Sequence, residues 1–104
     1  MNLCVFIRPG VSPADRGEIE DAILDALGAG VELVGGGTFF GEVIESDFQL
    51  SVPEEREIDG VVSTCRRVLQ GLVFSQPTEL RLTVDAQEFP VEAVVRPPER
   101  SAAT

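Results

Sequence analysis

The chain has 104 residues, of which 43% are hydrophobic, and its 18 acidic and eight basic residues give a net charge of −10. This length and composition predict a single domain with a modest core. The charge disfavours phosphate backbones and anionic membranes, so we expect neither nucleic-acid nor membrane binding. It favours a basic protein partner.

The segment MNLCVFIRPG lacks the basic start and the small-residue cleavage site of a signal peptide. No apolar run approaches the roughly 20 residues that span a bilayer. Two cysteines, Cys4 and Cys65, do not make a disulfide framework. We therefore expect a cytoplasmic protein with reduced thiols.

The first half of the chain predicts a strand, a helix and two further strands. Residues 2–8 alternate apolar and polar side chains, as a half-buried strand does. Ser12 is a natural N-cap for a helix that Gly28 would end. Residues 31–39 and 43–52 predict two strands joined by a short hairpin.

The second half predicts a helix and one or two strands. Pro53 opens a predicted helix over about residues 54–71, with acidic residues in its first turn. After a loop at 74–78, residues 79–85 alternate as a strand. Residues 89–96 either form a fifth strand, paired with 79–85 through the segment DAQE, or stay outside the sheet.

The predicted order β-α-β-β-α-β indicates an α+β protein with a ferredoxin-like sandwich. Its four-stranded antiparallel sheet would carry both helices on one face. Residues 1–96 would form the single domain, and residues 97–104 a disordered tail. This fold hosts many functions, so the function has to be argued from individual residues.

Several catalytic chemistries lack their usual side chains, because the sequence contains no histidine, tyrosine, tryptophan or lysine. Imidazole bases, imidazole zinc sites, Schiff bases and lysine phosphate loops are therefore excluded. We expect a protein that is not an enzyme, with no catalytic residues, no cofactor and no metal. Cys65 falls on a helical apolar face, whereas Cys4 would lie on the helix-free sheet face, where its reactivity stays open.

Three consecutive glycines, Gly35–Gly37, interrupt the second predicted strand. A phosphate loop would place glycines between a strand and a helix, usually with a lysine. Here they lie between two strands, flanked by Glu32 and Glu42. They are more typical of a bulge, a bend or a close approach of another backbone.

Two adjacent phenylalanines follow the glycines and suggest a contact surface. Neighbouring residues of a strand face opposite sides, so either Phe39 covers one end of the core or both rings are exposed near the hairpin tip. Glu45 and Asp47 share a strand face at a separation of roughly 7 Å. Phe6 would lie on the helix-free face, which a second copy could cover to form a homodimer. The candidate interaction residues are Phe6, Phe39, Phe40, Glu42, Glu45 and Asp47.

The GGGT segment at 35–38, within a short acidic βαββαβ chain, resembles small uncharacterised acidic bacterial proteins with a hairpin of this kind. Some such proteins are immunity partners of secreted toxins, so the resemblance implies an immunity- or antitoxin-like interaction module. Polar residues follow the threonine in those proteins, whereas this chain has Phe39 and Phe40. The binding surface is therefore expected to differ.

Two other functions remain open. The element order is shared with ACT-type regulatory domains, which resemble this chain and bind small molecules as dimers near the first strand-to-helix loop, here residues 8–13. The order is also similar to dimeric monooxygenase-like proteins with chemistry between sheet and helices. The missing histidine, tyrosine and tryptophan make this last function the weakest of the three.

Overall fold

The computed structural model describes residues 1–11, 13–74 and 77–95. Two helices and seven strands occur within these ranges. In chain order they are β1 (Asn2–Arg8), α1 (Pro13–Leu27), β2 (Glu32–Phe40), β3 (Ile44–Ser51), α2 (Ile58–Gln70), β4 (Val73–Phe74), β5 (Glu79–Val84), β6 (Gln87–Val91) and β7 (Val94–Val95).

Five of the described strands form an antiparallel sheet in the order β2-β3-β1-β5-β6. Helices α1 and α2 contact each other and pack on one face of this sheet. The opposite face, which carries no helix, is called the open face below. The predicted α+β class with both helices on one face is confirmed. Strands β4 and β7 form a separate parallel pair.

The side chains of β1 alternate between the two faces of the sheet, as the sequence predicts, and one face belongs to the core. Leu3, Val5 and Ile7 are fully buried between the sheet and the helices. Each such aliphatic side chain contributes about 1.5–3 kcal/mol when it leaves water. The helices add Ile19, Ile23, Leu27, Val61, Val62, Cys65 and Leu69 to the same cluster. Neither helix in the described ranges has the length and apolar character needed to cross a membrane.

The predicted start of the second helix, at residue 54, is wrong by four residues. Residues 53–56 instead make a turn, in which the Arg56 amide donates to the Pro53 carbonyl. The Arg56 guanidinium also donates to the carbonyls of Leu27 and Ala29, at 2.7 and 2.9 Å. Because these contacts reach the end of α1, a long-range interaction holds the turn and α2 begins at Ile58.

The predicted fifth strand is present, but it lies earlier in the chain. Asp85 and Ala86, both with positive φ, form a two-residue turn, so β6 already begins at Gln87. Pro90 lies on this edge strand, where a missing amide donor is tolerated. Val94 and Val95 leave the sheet and pair with Val73 and Phe74, which belong partly to the predicted loop. The predicted N-cap Ser12 and the predicted tail 97–104 lie outside the described residues.

The glycine run produces both a bulge and a close backbone approach. The pairing of β2 with β3 shifts register between Leu33 and Gly35. A Cβ atom on Gly36 would lie 2.8 Å from the Asp47 carbonyl oxygen and 2.9 Å from the Phe48 Cβ. At Gly37 a Cβ atom would meet nothing within 4 Å. Only the middle glycine is therefore required by contact with β3.

We expect Gly36→Ala to lower the free energy of unfolding by about 1–3 kcal/mol, because the added methyl group forces β2 away from β3. Gly37→Ala is the matched control and should change it by less than about 0.5 kcal/mol. Urea denaturation of both variants measures the difference. Equal losses in the two variants would contradict the packing described for Gly36.

The Cys65 thiol is fully buried, and this burial raises its pKa from 9.0 to about 12. In a Cys4→Ser variant, we expect iodoacetamide at about pH 8.5 to modify Cys65 only after unfolding, because the folded protein keeps the thiol protonated. As the pH rises, the unfolded chain loses the Cys65 proton before the folded protein does. The contribution of the protonated thiol to the free energy of unfolding is therefore complete below pH 9.0 and is lost as the pH rises toward about 12. Labelling of the native protein, followed by mass spectrometry, would contradict this burial.

Candidate functional site

The two phenylalanines after the glycine run are both exposed. Phe39 is 69% exposed and Phe40 72% exposed, so Phe39 does not cover the core. Phe39 pairs with Glu45 and faces the open side of the sheet, whereas Phe40 pairs with Ile44 and faces the helix side. The two rings therefore project from opposite faces at the end of β2.

Exposed apolar side chains continue along β2 and around the hairpin. In the described sheet, β2 has β3 as its single neighbour, so the amides and carbonyls of its other backbone edge are free to pair with another strand. Natural edge strands are usually protected by lysine, proline or short length, whereas β2 is nine residues long and contains neither residue. We call this exposed set the apolar edge, and it comprises Leu33, Val34, Phe39, Phe40, Val43 and Ile44.

Charged side chains on the open face are organised in pairs. The Arg8 Nε lies 3.3 Å from a Glu45 carboxylate oxygen, and the Arg81 Nε lies 3.0 Å from Glu88. The hydrogen bond and the charge of Glu88 raise the pKa of Arg81 above its ordinary value. The Arg81 guanidinium also lies over the ring of Phe6, 6.0 Å from its centroid. Phe6, in the central strand, is still 37% exposed.

A groove of about 390 Å³ opens on this face beside the apolar edge. Phe6 and Phe39 line it, and the missing side chain of Gly37 leaves space between them. Asp47 lies between Gly37 and Phe6 in the strand register. Among the residues that the structure describes, Asp47 has no hydrogen-bond or ion-pair partner, so its carboxylate is available to a bound cation.

Four of the six predicted interaction residues therefore meet in one place: Phe6, Phe39, Glu45 and Asp47 line the groove. Glu42 lies in the hairpin loop and Phe40 on the other face, so neither lines it. Sequence reasoning missed Gly37 and Glu79 as lining residues, although strand alternation could have placed both on this face. It also treated Glu45 and Asp47 as an equivalent pair, whereas Arg8 neutralises Glu45 alone.

Cys4 lies on the open face, as predicted, but it is only 9% exposed. Gln49 and Thr83 flank it in the register of the neighbouring strands. Both cysteines are free thiols. Cys4 is therefore better described as a packed residue of the sheet than as an accessible thiol.

A buried polar network holds the loop after β1 against β3. The Ser46 hydroxyl, in a residue 1% exposed, accepts from the Val11 amide and donates to the Val11 carbonyl, each at 3.0 Å. Arg16 of α1 donates to the Thr38 hydroxyl at 3.1 Å and to Glu20 at 3.1 Å. The Thr38 and Ser46 hydroxyls lie 3.4 Å apart. This network joins α1, β2, β3 and the loop directly below the groove.

The groove and its surroundings offer carboxylates, arginines and aromatic rings, which suit non-covalent recognition of charged groups. Within the described residues, no group of three or more cysteine, aspartate or glutamate side chains is arranged to hold a metal ion. Comparison with known proteins finds no matching family model, curated protein or solved structure.

We expect Ser46→Ala to lower the free energy of unfolding by about 1–3 kcal/mol, because the Val11 amide loses its buried acceptor. Ser51→Ala, at an exposed position of the same strand, is the control and should cost less than about 0.5 kcal/mol. Amide hydrogen exchange at Val11 provides a second measurement and should accelerate in Ser46→Ala alone. Unchanged exchange there would contradict the role of the network.

Proposed function

We propose that this protein is a protein-interaction module that binds a basic partner protein through the apolar edge and the groove beside it. The observation that carries the proposal is the apolar edge itself, with Phe39 and Phe40 exposed at 69% and 72% on a strand whose outer backbone has no neighbouring strand in the described part of the chain. Large exposed apolar surfaces of this kind are typical of contact sites.

The charge of the chain complements the apolar contact. Glu42 follows the two rings in the hairpin loop, Asp47 pairs with Gly37 two residues before Phe39, and the chain as a whole carries −10. Acidic groups around an apolar centre accelerate the approach of a basic partner and reject acidic ones. Burial of the phenylalanine rings would then supply most of the affinity, as aromatic anchors do in other interfaces.

We also propose the ferredoxin-like assignment for the first four long strands and the two helices. The strand order β2-β3-β1-β5, with α1 after β1 and α2 after β3, supports it. Strand β6 is then an addition to the sheet edge farthest from β2. This arrangement leaves the apolar edge and the open face uncovered by helices.

The narrower form of the proposal is an immunity- or antitoxin-like protein in the cytoplasm, which blocks a toxin by covering its basic surface. The small size, the acidic charge and the exposed phenylalanines support this form. Co-expression with the product of a neighbouring gene would test it. Rescue of growth by this protein is the expected result, and no rescue from any neighbouring product would contradict the narrower form.

A second candidate is an ACT-like regulatory domain that binds a small molecule as a homodimer. It is favoured by the exposed Phe6 at the centre of the open face, where the pairing of Arg8 and Arg81 with carboxylates lowers the cost of stacking two copies. Light scattering of the purified protein, together with a thermal-shift screen of amino acids and nucleotides, tests this candidate. A monomer that responds to none of them would contradict it.

The interaction surface is tested with two double variants, Phe39→Ser/Phe40→Ser and Glu45→Lys/Asp47→Lys. Starting from a basic partner identified by co-purification, we expect each variant to weaken binding by at least about tenfold, since aromatic anchors and charge complementarity are removed separately. Calorimetry on the purified pair measures the dissociation constants.

Matched controls lie elsewhere on the protein. Val73→Ser removes an exposed apolar side chain outside the apolar edge, and Glu18→Lys/Asp21→Lys reverses two charges on α1. The Val73 control should bind as the natural protein does. The α1 control should lower the association rate constant and leave the dissociation rate constant unchanged. A partner that stays bound to both test variants would exclude this surface as the interface.

A further inference from the structure

We infer that the groove on the open face is a receptor for a single arginine side chain of the partner, with Asp47 as the group that pairs with its guanidinium. The inference rests on the proposed function, because it names the chemical group by which a basic partner is recognised. It is carried by three features of the groove: its free carboxylate, its aromatic walls and its charge.

Two carboxylates of the groove, Asp47 and Glu79, have no ion-pair partner among the described residues, since Glu45 is paired with Arg8 and Glu88 with Arg81. Of the two, Glu79 is exposed and Asp47 is half-buried. A half-buried carboxylate loses part of its hydration, so a cation that reaches it gains more than it would at an open surface. Hydrogen bonds to charged groups are also the stronger ones.

The aromatic walls are Phe6 and Phe39, on either side of the gap above Gly37. In the register, Gly37 and Phe6 flank Asp47 from the two neighbouring strands, and Phe39 lies two residues beyond Gly37 on the same face of β2. The space above Gly37 is therefore bordered by the Asp47 carboxylate and by the Phe39 ring. A planar guanidinium stacks on aromatic faces and bonds a carboxylate with two parallel donors, whereas an ammonium group does neither as well. Because Arg81 already lies over the ring of Phe6, the 69% exposed ring of Phe39 is the wall on which an incoming guanidinium would stack.

The charge of the site favours a cation over an anion. Within the groove and its immediate ion pairs, two arginines face four carboxylates: Glu45, Asp47, Glu79 and Glu88. Both arginines are engaged, so an incoming carboxylate or phosphate finds no unpaired arginine among the described residues of the groove. An incoming guanidinium finds the unpaired Asp47, and the negative charge of Glu79 reduces its repulsion from Arg81.

The test uses three blocked tripeptides as probes: acetyl-Gly-Arg-Gly-amide, the citrulline peptide as its neutral isostere, and the lysine peptide. Amide NMR of the full chain should show saturable shifts at Phe6, Gly37 and Asp47 with the arginine peptide. We expect binding of the citrulline peptide to be about tenfold weaker or worse, and that of the lysine peptide to lie between the two. Equal binding of the arginine and citrulline peptides, or no shifts at these residues, would overturn the inference.

Two variants with matched controls locate the site. Asp47→Asn should weaken the arginine peptide by about tenfold, whereas Asp21→Asn on α1 should not. Gly37→Leu should fill the groove and abolish binding, whereas Gly35→Leu, on the same face of the same strand but outside the groove, should leave it intact. Because a Cβ atom at either glycine meets nothing within 4 Å and both positions face the open side of the sheet, both leucine variants should keep the native circular dichroism spectrum. Peptide binding that survives Gly37→Leu in a folded protein would overturn the inference.

The outcome separates this inference from the proposed function. If the partner protein binds Gly37→Leu normally but loses Phe39→Ser/Phe40→Ser, the interaction module stands and the arginine receptor fails. If the arginine peptide binds in the groove but no basic protein partner exists, the proposed function fails instead. If the molecular mass rises with protein concentration and Gly37→Leu abolishes this rise, the groove is assigned to self-association and the arginine receptor is overturned.

Discussion

The close contact between Gly36 and the backbone of β3 sets the position of the edge strand, and the candidate site depends on it. Any side chain at this position would lie 2.8 Å from the Asp47 carbonyl oxygen. Gly36 pairs with Phe48, which is buried in the core, so it faces the helix side, and the alternation of the strand turns Gly37 and Phe39 to the open face. Phe40 is turned the other way. The groove and the exposure of both rings follow from this register.

Part of the negative charge on the open face is balanced locally by ion pairs with arginine. On the open face Arg8 and Arg81 each pair with a carboxylate, so two of the four carboxylates in and around the groove are neutralised. Asp47 stands outside these pairs, beside two aromatic rings. A net charge of −10 attracts basic partners over long distances, whereas the half-buried, unpaired Asp47 carboxylate in the described groove offers an arriving cation a specific contact.

The floor below the groove is held by the polar network around Ser46. A Cβ atom on Gly10 would lie 2.8 Å from the Ser46 amide nitrogen, so the loop after β1 rests directly on β3. With both hydrogen bonds to Val11 in place, β3 cannot slide relative to this loop without leaving buried polar groups unpaired. Asp47, the next residue of β3, is thereby presented from a well-anchored strand, which suits a binding site.

Local patterns in the sequence determined the kinds of elements and most of the core. The alternation of residues 2–8 and 79–85 and the helical spacing of Ile19, Ile23 and Leu27 each report a backbone period that needs no distant contact. The limits of α2 and β6 were predicted less well. Arg56 reaches the end of α1, and the turn at Asp85 and Ala86 takes only two residues. Neither feature has a strong local signal.

For the candidate site, the sequence by itself determined that Phe39 and Phe40 cannot share one side of a strand and that Glu45 and Asp47 must. Period-two geometry is sufficient for both conclusions. Only the tertiary structure decided that Glu45 is neutralised and Asp47 is free, because this depends on β1 lying beside β3 and bringing Arg8 within 3.3 Å of Glu45. Likewise, a side chain is unfavourable at Gly36 and tolerated at Gly37, since only Gly36 lies in close contact with the neighbouring strand β3.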